Sequence, residues 1–443
     1  MTGPLRIVGL ADTDSYVKWA AHLLGGLDAA WQPELLVVDT PLVVSDAQLA
    51  ASVAGSGLAD GAVRRADYDD LARLLADRRP DAVLIAARGP LVRVLARLVA
   101  RSAPRPVIVT GLPGISIPAT RKALVYRAQC DLFVVHSHRE HREFARLAAE
   151  RGLMQRFALA RLPFATGAGD RQTGTDLVFA AQAKVPALRR DRLRLARMLV
   201  RAAAADPSRR VVVKLRAAAG EQQTHAEADS YPELLALIGR GETLPANLVT
   251  STGSMRRALD RAEGLVTVSS TAAIEAVARG IPVIGIDTFG VGPELINEVF
   301  ADGGLLGGER DVIERRYRVP STPWCTDNYL HNPHDDDWAE RTAALVEARR
   351  AGALPFAPPF ARRGGLLRDA WERKSALGRH DRSVGGAVAF AVGLPARTAV
   401  RALQRVRRAL HAARARDQQP GAEGDSPQVR STRAVRTSTT RTP

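Results

Sequence analysis

GLVTVSSTAAIEAVARGIPVIGID, running from Gly264 to Asp287, reads as strand, turn, helix, turn and strand in immediate succession. Its first apolar run delivers Ser269, Ser270 and Thr271 to the start of an Ala-rich helix, and a Gly-Ile-Pro turn leads into the second apolar run. Short apolar runs alternating with helical stretches are the buried strands of a parallel sheet covered on both faces. Where such a helix begins, free backbone N–H groups, the macrodipole and the hydroxyls all favour an anion, so the turn predicts a bound phosphate. Glu275 falls one turn inside the helix, at a rim where a carboxylate accepts hydrogen bonds from ribose hydroxyls. The plainer alternative makes Ser269 an N-cap and Glu275 a solvated helix residue.

The same alternation extends outward. LVFAAQA after Asp176, a helix from Leu188 to Ala205, RVVVKLR from Arg210, a segment from Tyr231 to Arg240, NLVTS from Asn247 and a helix from Met255 to Ala262 precede the decisive stretch. An earlier run has strands at Leu5 to Leu10, Glu34 to Val38, Ala82 to Ala86, Pro106 to Thr110 and Leu132 to Val135. Helices at Asp69 to Asp77, Leu91 to Arg101 and Glu140 to Arg151 lie between these strands. The expected fold class is therefore α/β, with two Rossmann-like doubly wound parallel-sheet domains, 1–165 and 170–350, facing a cleft. LPFATGAGD, from Leu162 to Asp170, lacks periodicity and reads as the hinge. Trp338 to Arg350 reads as a helix packing back across the domains, after which PFAPPFARR is expected to end the fold.

Bulk properties agree. The 443 residues suit two domains, and 46% hydrophobic with 5% aromatic residues suits an Ala/Val/Leu-rich α/β protein better than a sandwich or barrel. Cys130 and Cys325 lie far apart without ligand spacing, which argues against a disulfide framework or zinc site. MTGPLRIVGL enters a strand directly and lacks the features of a signal peptide, and no window reaches a membrane span, so a cytoplasmic location is expected. From Ala361 onward 18 Lys and Arg stand against 6 Asp and Glu, so +12 of the net +16 sits there. The body is nearly neutral and no nucleic-acid partner is expected. Residues 361–416 read as a basic amphipathic tail. Between Arg397 and Arg416, arginines interleave with Ala, Leu and Val at helical spacing after the apolar GGAVAFAVGLP, a pattern that lies on an anionic membrane surface. A solvated tail is the alternative, and residues 417–443, without large apolar groups, read as disordered.

The strand, the S-S-T-A-A-x-E-A turn and helix, the G-I-P-V-I that follows and their place in the second half resemble the donor-binding domain of GT-B glycosyltransferases. Polysialyltransferase-like and CDP-glycerol-transferase-like enzymes of bacterial capsule and surface polysaccharide assembly are the nearest in pattern. The likeness rests on motif between residues 170 and 300 and on architecture alone in the first half. UDP-sugar epimerases of the same fold carry a similar turn. The resemblance implies that Ser269 and Ser270 hold the donor phosphate and that Glu275 touches the ribose. It further implies an inverting transferase that needs no metal and no cofactor beyond its nucleotide-sugar co-substrate.

Other cleft candidates follow from position at strand ends. Lys214 and Arg216 leave the end of VVVK, where both can neutralise a phosphate or diphosphate leaving group. In the polysialyltransferases a His-Pro pair stands about here, whereas this chain has Arg216 and Ala217; His225, beyond the loop, is the substitute acid, or a solvated loop residue. GLADTDSYVKW places Asp12 and Asp14 beyond the first strand, and an inverting transfer needs a base near the acceptor hydroxyl. Asp14 is the first choice and Asp12 the second, the alternative being a helix cap. GLPGISIP, from Gly111, with Lys122 after it, and VVHSHREH, with His136 and Ser137, are expected to touch the acceptor. The spacing of His136, His138 and His141 has no supporting cysteine or carboxylate pattern, and no metal is expected. STPWCTDNYLHNPHDDDW reads either as a lid or acceptor loop, or as a charge cluster, Asp335 to Asp337, starting a helix.

These readings converge on a glycosyltransferase acting on a polysaccharide or lipid-linked acceptor, at the inner face of the plasma membrane. A UDP-sugar 2-epimerase and a non-catalytic sugar-nucleotide-binding assembly protein are the alternatives.

Overall fold

The structure, a computed structural model, describes residues 3–59, 61–163, 165, 174–215, 229–355 and 365–393. The first half runs β1 (Leu5–Ala11), α1 (Asp14–Gly25), β2 (Trp31–Val38), α2 (Asp46–Val53), β3 (Val63–Ala66), α3 (Leu71–Arg78), β4 (Ala82–Ala86), α4 (Gly89–Val99), β5 (Val107–Gly111), α5 (Arg121–Arg127), β6 (Leu132–Val135), α6 (His138–Glu150) and β7 (Phe157–Leu159). Its strands are parallel in the order β3-β2-β1-β4-β5-β6-β7. The second half runs β8 (Asp176–Ala180), α7 (Arg189–Ala205), β9 (Val211–Lys214), α8 (Tyr231–Ile238), β10 (Leu248–Ser251), α9 (Met255–Leu259), β11 (Ala262–Thr267), α10 (Ala272–Ala278), β12 (Val283–Ile286), α11 (Glu298–Ala301), β13 (Leu306–Gly307) and α12 (Glu309–Ile313). These strands too are parallel, in the order β10-β9-β8-β11-β12-β13. Both halves are doubly wound, and each reverses its winding direction beside its first strand.

Side-chain alternation along the central strands builds the two faces. Ile7 and Ala11 of β1 join Leu35, Val37, Leu84 and Val109 in one buried cluster, while Val8 and Leu10 join Leu36, Val38, Val83 and Ile108 in the other. Helices cover both faces, which is why the strands read as continuous apolar runs rather than as alternating ones. The helices begin at recognisable caps: Ser230 and Glu233 form a capping box at α8, and Ser137 caps α6.

Past the second sheet come α13 (Thr322–Asp327), α14 (Trp338–Arg350) and α15 (Gly365–Leu377). Helix α14 returns to the first half, where Trp338 and Val346 enter the cluster of Ile7 and Leu35. The expectation that the fold ends at PFAPPFARR is corrected. Helix α15 docks on α4, placing fully buried Leu377 in the cluster of Val8 and Leu10. Arg97 meets Asp369 at 2.7 Å, and Arg93, itself buried, meets Glu372 at 3.4 Å. Counting the whole C-terminal fifth as one basic tail hid these acids, which neutralise arginines of the folded body. Both halves and these helices belong to one compact unit, Met1–Ala389; Phe390 begins a second unit, of which residues 390–393 are described and helical. Among the described residues no helix is long and apolar enough to cross a membrane.

Candidate functional site

Each half carries a crevice at its winding reversal, between the C-terminal ends of β1 and β4 and between those of β8 and β11. In the first half this crevice is bridged by charge. Asp12 has no exposed surface; its carboxylate accepts from Arg88 Nε at 2.7 Å and from the Arg88 backbone N–H at 3.3 Å. Burial raises its pKa against the pull of Arg88. Asp12 thus fastens β1 to the loop after β4 and offers no surface to an acceptor. Asp14, two residues on, opens α1 and is half-buried, beside Ser15.

In the second half the equivalent crevice is bridged by an amide. The Gln182 carboxamide oxygen accepts from the Ser269 N–H at 2.9 Å, and its nitrogen donates to Ser269 Oγ at 3.0 Å. Ser270 Oγ accepts from the Ala272 N–H at 3.2 Å and so caps α10, while Thr267 Oγ1 receives the Ser270 N–H at 3.1 Å. Both serine hydroxyls therefore sit in polar networks, not in packed hydrocarbon. Thr271 makes no side-chain cap bond and is half-buried. Glu275 is half-buried a turn further on; burial raises its pKa, while Lys18 of α1, Arg279 and Arg256 pull it down. Lys18 belongs to the first half, so the two halves confront one another at this turn. Lys214 ends β9 nearly buried, its Nζ hydrogen-bonded to the carbonyl of Leu215. Arg216 and His225 lie outside the described residues.

The first half answers the turn at the start of α10 with the loop after β5. Gly114 comes so close to Thr271 that a Cβ on it would stand 2.9 Å from the Thr271 methyl carbon. Ile117 is buried in the cluster that holds Ala272 and Ala273 of α10, and Ile115 packs against that cluster. Lys122, on α5, is exposed and makes no ion pair or hydrogen bond among the described residues.

His136 and Ser137 are a correction. Both were expected at the acceptor, and both are fully buried. The His136 ring lies among Trp19 Nε1 at 2.9 Å, the Leu112 carbonyl at 2.7 Å and the Ala160 carbonyl, and Ser137 Oγ accepts from the Glu140 N–H at 3.0 Å. Strand β6 ends beneath α1, not at the surface, because Gly111 beside it has no side chain and admits the Trp19 ring. The segment from Ser321 to Trp338 resolves in favour of a structural charge cluster. Asp336 accepts from Arg161 Nε at 2.8 Å and His331 Nε2 at 2.9 Å, Asp337 accepts from the Leu159 N–H at 2.7 Å, and His138 meets Asp335 at 3.0 Å. These bonds fasten the start of α14 to the end of β7.

Gln182, Lys18 and Gly114 complete the arrangement. Gln182 carries no motif, and its part emerges only when β8 and β11 are neighbours.

Two sheets with reversals facing a common cleft, and a hydroxyl-rich turn at a strand end, define the GT-B class of fold. Solved structures share it, these two among them. S. aureus MnaA, solved with UDP, superposes with a TM-score of 0.51 at 11% identity, covering 79% of this chain and 98% of that one. A "putative UDP-N-acetylglucosamine 2-epimerase" from Listeria monocytogenes gives 0.53 at 10% identity, over 79% of this chain and 98% of its own. No curated protein matches the chain in sequence. Residues 7–345 match the family described as "Putative glycosyltransferase (DUF6716)", and the chain belongs to that family.

Proposed function

We propose that the chain transfers a sugar from a nucleotide-sugar donor to a glycan or lipid-linked acceptor in cell-surface polysaccharide assembly, inverting the anomeric centre without a metal ion. One observation carries this reading: the start of α10 meets the opposite half, where Gly114 lies against Thr271 and the charge of Lys18 acts on Glu275. In this reading Ser269, Ser270 and Thr271 hold the donor phosphate, Lys214 and Arg216 offset its charge, and Glu275 binds the ribose. MnaA was solved with UDP, which makes UDP the first nucleotide to try. Asp14 is the base, since Asp12 is committed to Arg88. His225 is the candidate acid and Lys122 the candidate acceptor contact.

The acceptor side includes the membrane. Helix 384–393 turns Val384, 79% exposed, and Val388, 53% exposed, to solvent, and the sequence beyond it runs from Arg397 to Arg416 without an acidic residue. Apolar side chains next to clustered arginines suit an anionic lipid surface at the cytoplasmic face.

The test begins with thermal shift against UDP, CDP, CMP and GDP, since the right nucleotide stabilises by mass action. Ser269→Ala combined with Ser270→Ala should weaken that nucleotide at least about tenfold, roughly 1.4 kcal/mol, and abolish transfer with the circular dichroism spectrum intact. Unchanged affinity overturns the assignment. Asp14→Asn should bind nucleotide normally and lose turnover. Turnover of the nucleotide sugar with no acceptor present would favour the epimerase instead.

A further inference from the structure

We infer that the loop at residues 112–118 is the second wall of the donor site, supplied by the opposite half, and that Glu140 and Tyr329 are the positioning residues that hold it there. The inference rests on the nucleotide-sugar reading and deepens it. The ligand part concerned is the diphosphate and the sugar next to it, the portion that lies nearest a helix start when a nucleotide sugar binds such a turn.

Three observations support it. The loop is seated on the donor turn: Gly114 lies against Thr271, and Ile115 and Ile117 anchor it in the cluster of Ala272 and Ala273. It is also held with unusual care. Glu140 has no exposed surface; its Oε1 accepts from the Ser116 N–H at 2.9 Å and from the Tyr329 hydroxyl at 2.6 Å, and its Oε2 accepts from the His136 N–H at 2.8 Å. A buried carboxylate is costly to desolvate, and here one of its oxygens ties the loop and the Tyr329 phenol together while the other holds the end of β6. Tyr329, equally buried, comes from the segment after α13 and donates as a neutral phenol, because burial and the Glu140 charge push its pKa well up. The Ser116 N–H stands 3.3 Å from the same phenol oxygen. Finally, Ser116 Oγ is buried and has no hydrogen-bond partner among the described residues, an unused donor in the loop that faces the turn.

Glycine at position 114 follows from this arrangement. A methyl group there would push against the Thr271 methyl carbon and lift the loop from the turn, whereas the bare backbone can approach a phosphate.

Hydrogen–deuterium exchange on the full chain, with and without the nucleotide selected from UDP, CDP, CMP and GDP, tests both parts. In the wild type the nucleotide should slow exchange at residues 269–275 and also at 112–118. Protection of 269–275 alone would sink the wall while sparing the donor reading; protection of neither region, with no stabilising nucleotide, would sink both. Tyr329→Phe, which keeps the ring, should speed exchange at 112–118 at least tenfold without nucleotide and weaken nucleotide three- to tenfold. Gly114→Ala should weaken nucleotide at least tenfold while the unliganded melting temperature stays within about 2 °C. A lowered melting temperature with unaltered nucleotide affinity in both variants would reduce Glu140 and Tyr329 to packing residues and overturn the proposal.

Discussion

Glu275 shows how a single residue at this turn makes stability depend on pH. Its pKa is raised by burial, so the folded chain retains the proton at a pH where the unfolded chain has released it. The folded state then binds more protons than the unfolded state, and stability falls as pH rises from the ordinary glutamate value of 4.5 through the raised one. Glu275→Gln should therefore leave urea stability unchanged below pH 4, raise it at pH 7, and weaken nucleotide binding. A variant less stable at pH 7 would show that the carboxylate is better solvated than its surroundings suggest. Residue type alone misled at His136: a histidine at a strand end looks like a ligand group, but the burial of that end depends on Gly111 admitting Trp19, a contact between distant positions. Position alone puts Asp14 ahead of Asp12, and the Arg88 guanidinium on Asp12 supplies a physical difference between them.

Among the elements, those whose burial is continuous were the most legible. β4 and β6 lie where the apolar runs placed them, at Ala82–Ala86 and Leu132–Val135, because both faces of each strand are covered. β3 is an edge strand whose Arg64 and Arg65 are exposed, β7 has three residues and β13 two, so none carries enough pattern to be found. Helix α15 was hidden for another reason: its acids look like part of a mixed, charged tail until Arg93 and Arg97 are seen beside them. Its contribution can be measured. Leu377→Ala removes a fully buried side chain from the first-half cluster, and should cost about 2–4 kcal/mol in urea unfolding. A loss under about 0.5 kcal/mol would mean that α15 only rests on the surface.

Across the whole molecule, carboxylates with lowered pKa values fasten distant segments together. The Arg142 hydrogen bond holds Asp327 below its usual range; at Asp336 burial pushes upward, but bonds from His331 and Arg161 prevail; at Asp81 burial is likewise outweighed by the Arg6 N–H and by Arg350 and Arg349. Each lowered aspartate contributes stability that is present above the ordinary value of 3.8 and is lost as pH falls through its lowered value. Urea midpoints should therefore drop on acidification below pH about 4, and Asp336→Asn should shallow that drop. An unchanged acid slope in the variant would remove Asp336 from the set. The arrangement of two Rossmann-like halves was legible in the sequence because alternating apolar runs recur on both sides of Leu162. The interlocking of the halves was not, since it depends on pairs such as Arg139 with Asp302 and Arg142 with Asp327, far apart along the chain.

The return of α14 and α15 to the first sheet also bears on synthesis. Trp338, Val346 and Leu377 cover faces of a sheet whose strands were all translated before residue 160. On the ribosome the amino-terminal lobe must wait, with part of its apolar surface bare, until the last helices emerge, so the lobe begun first is completed last.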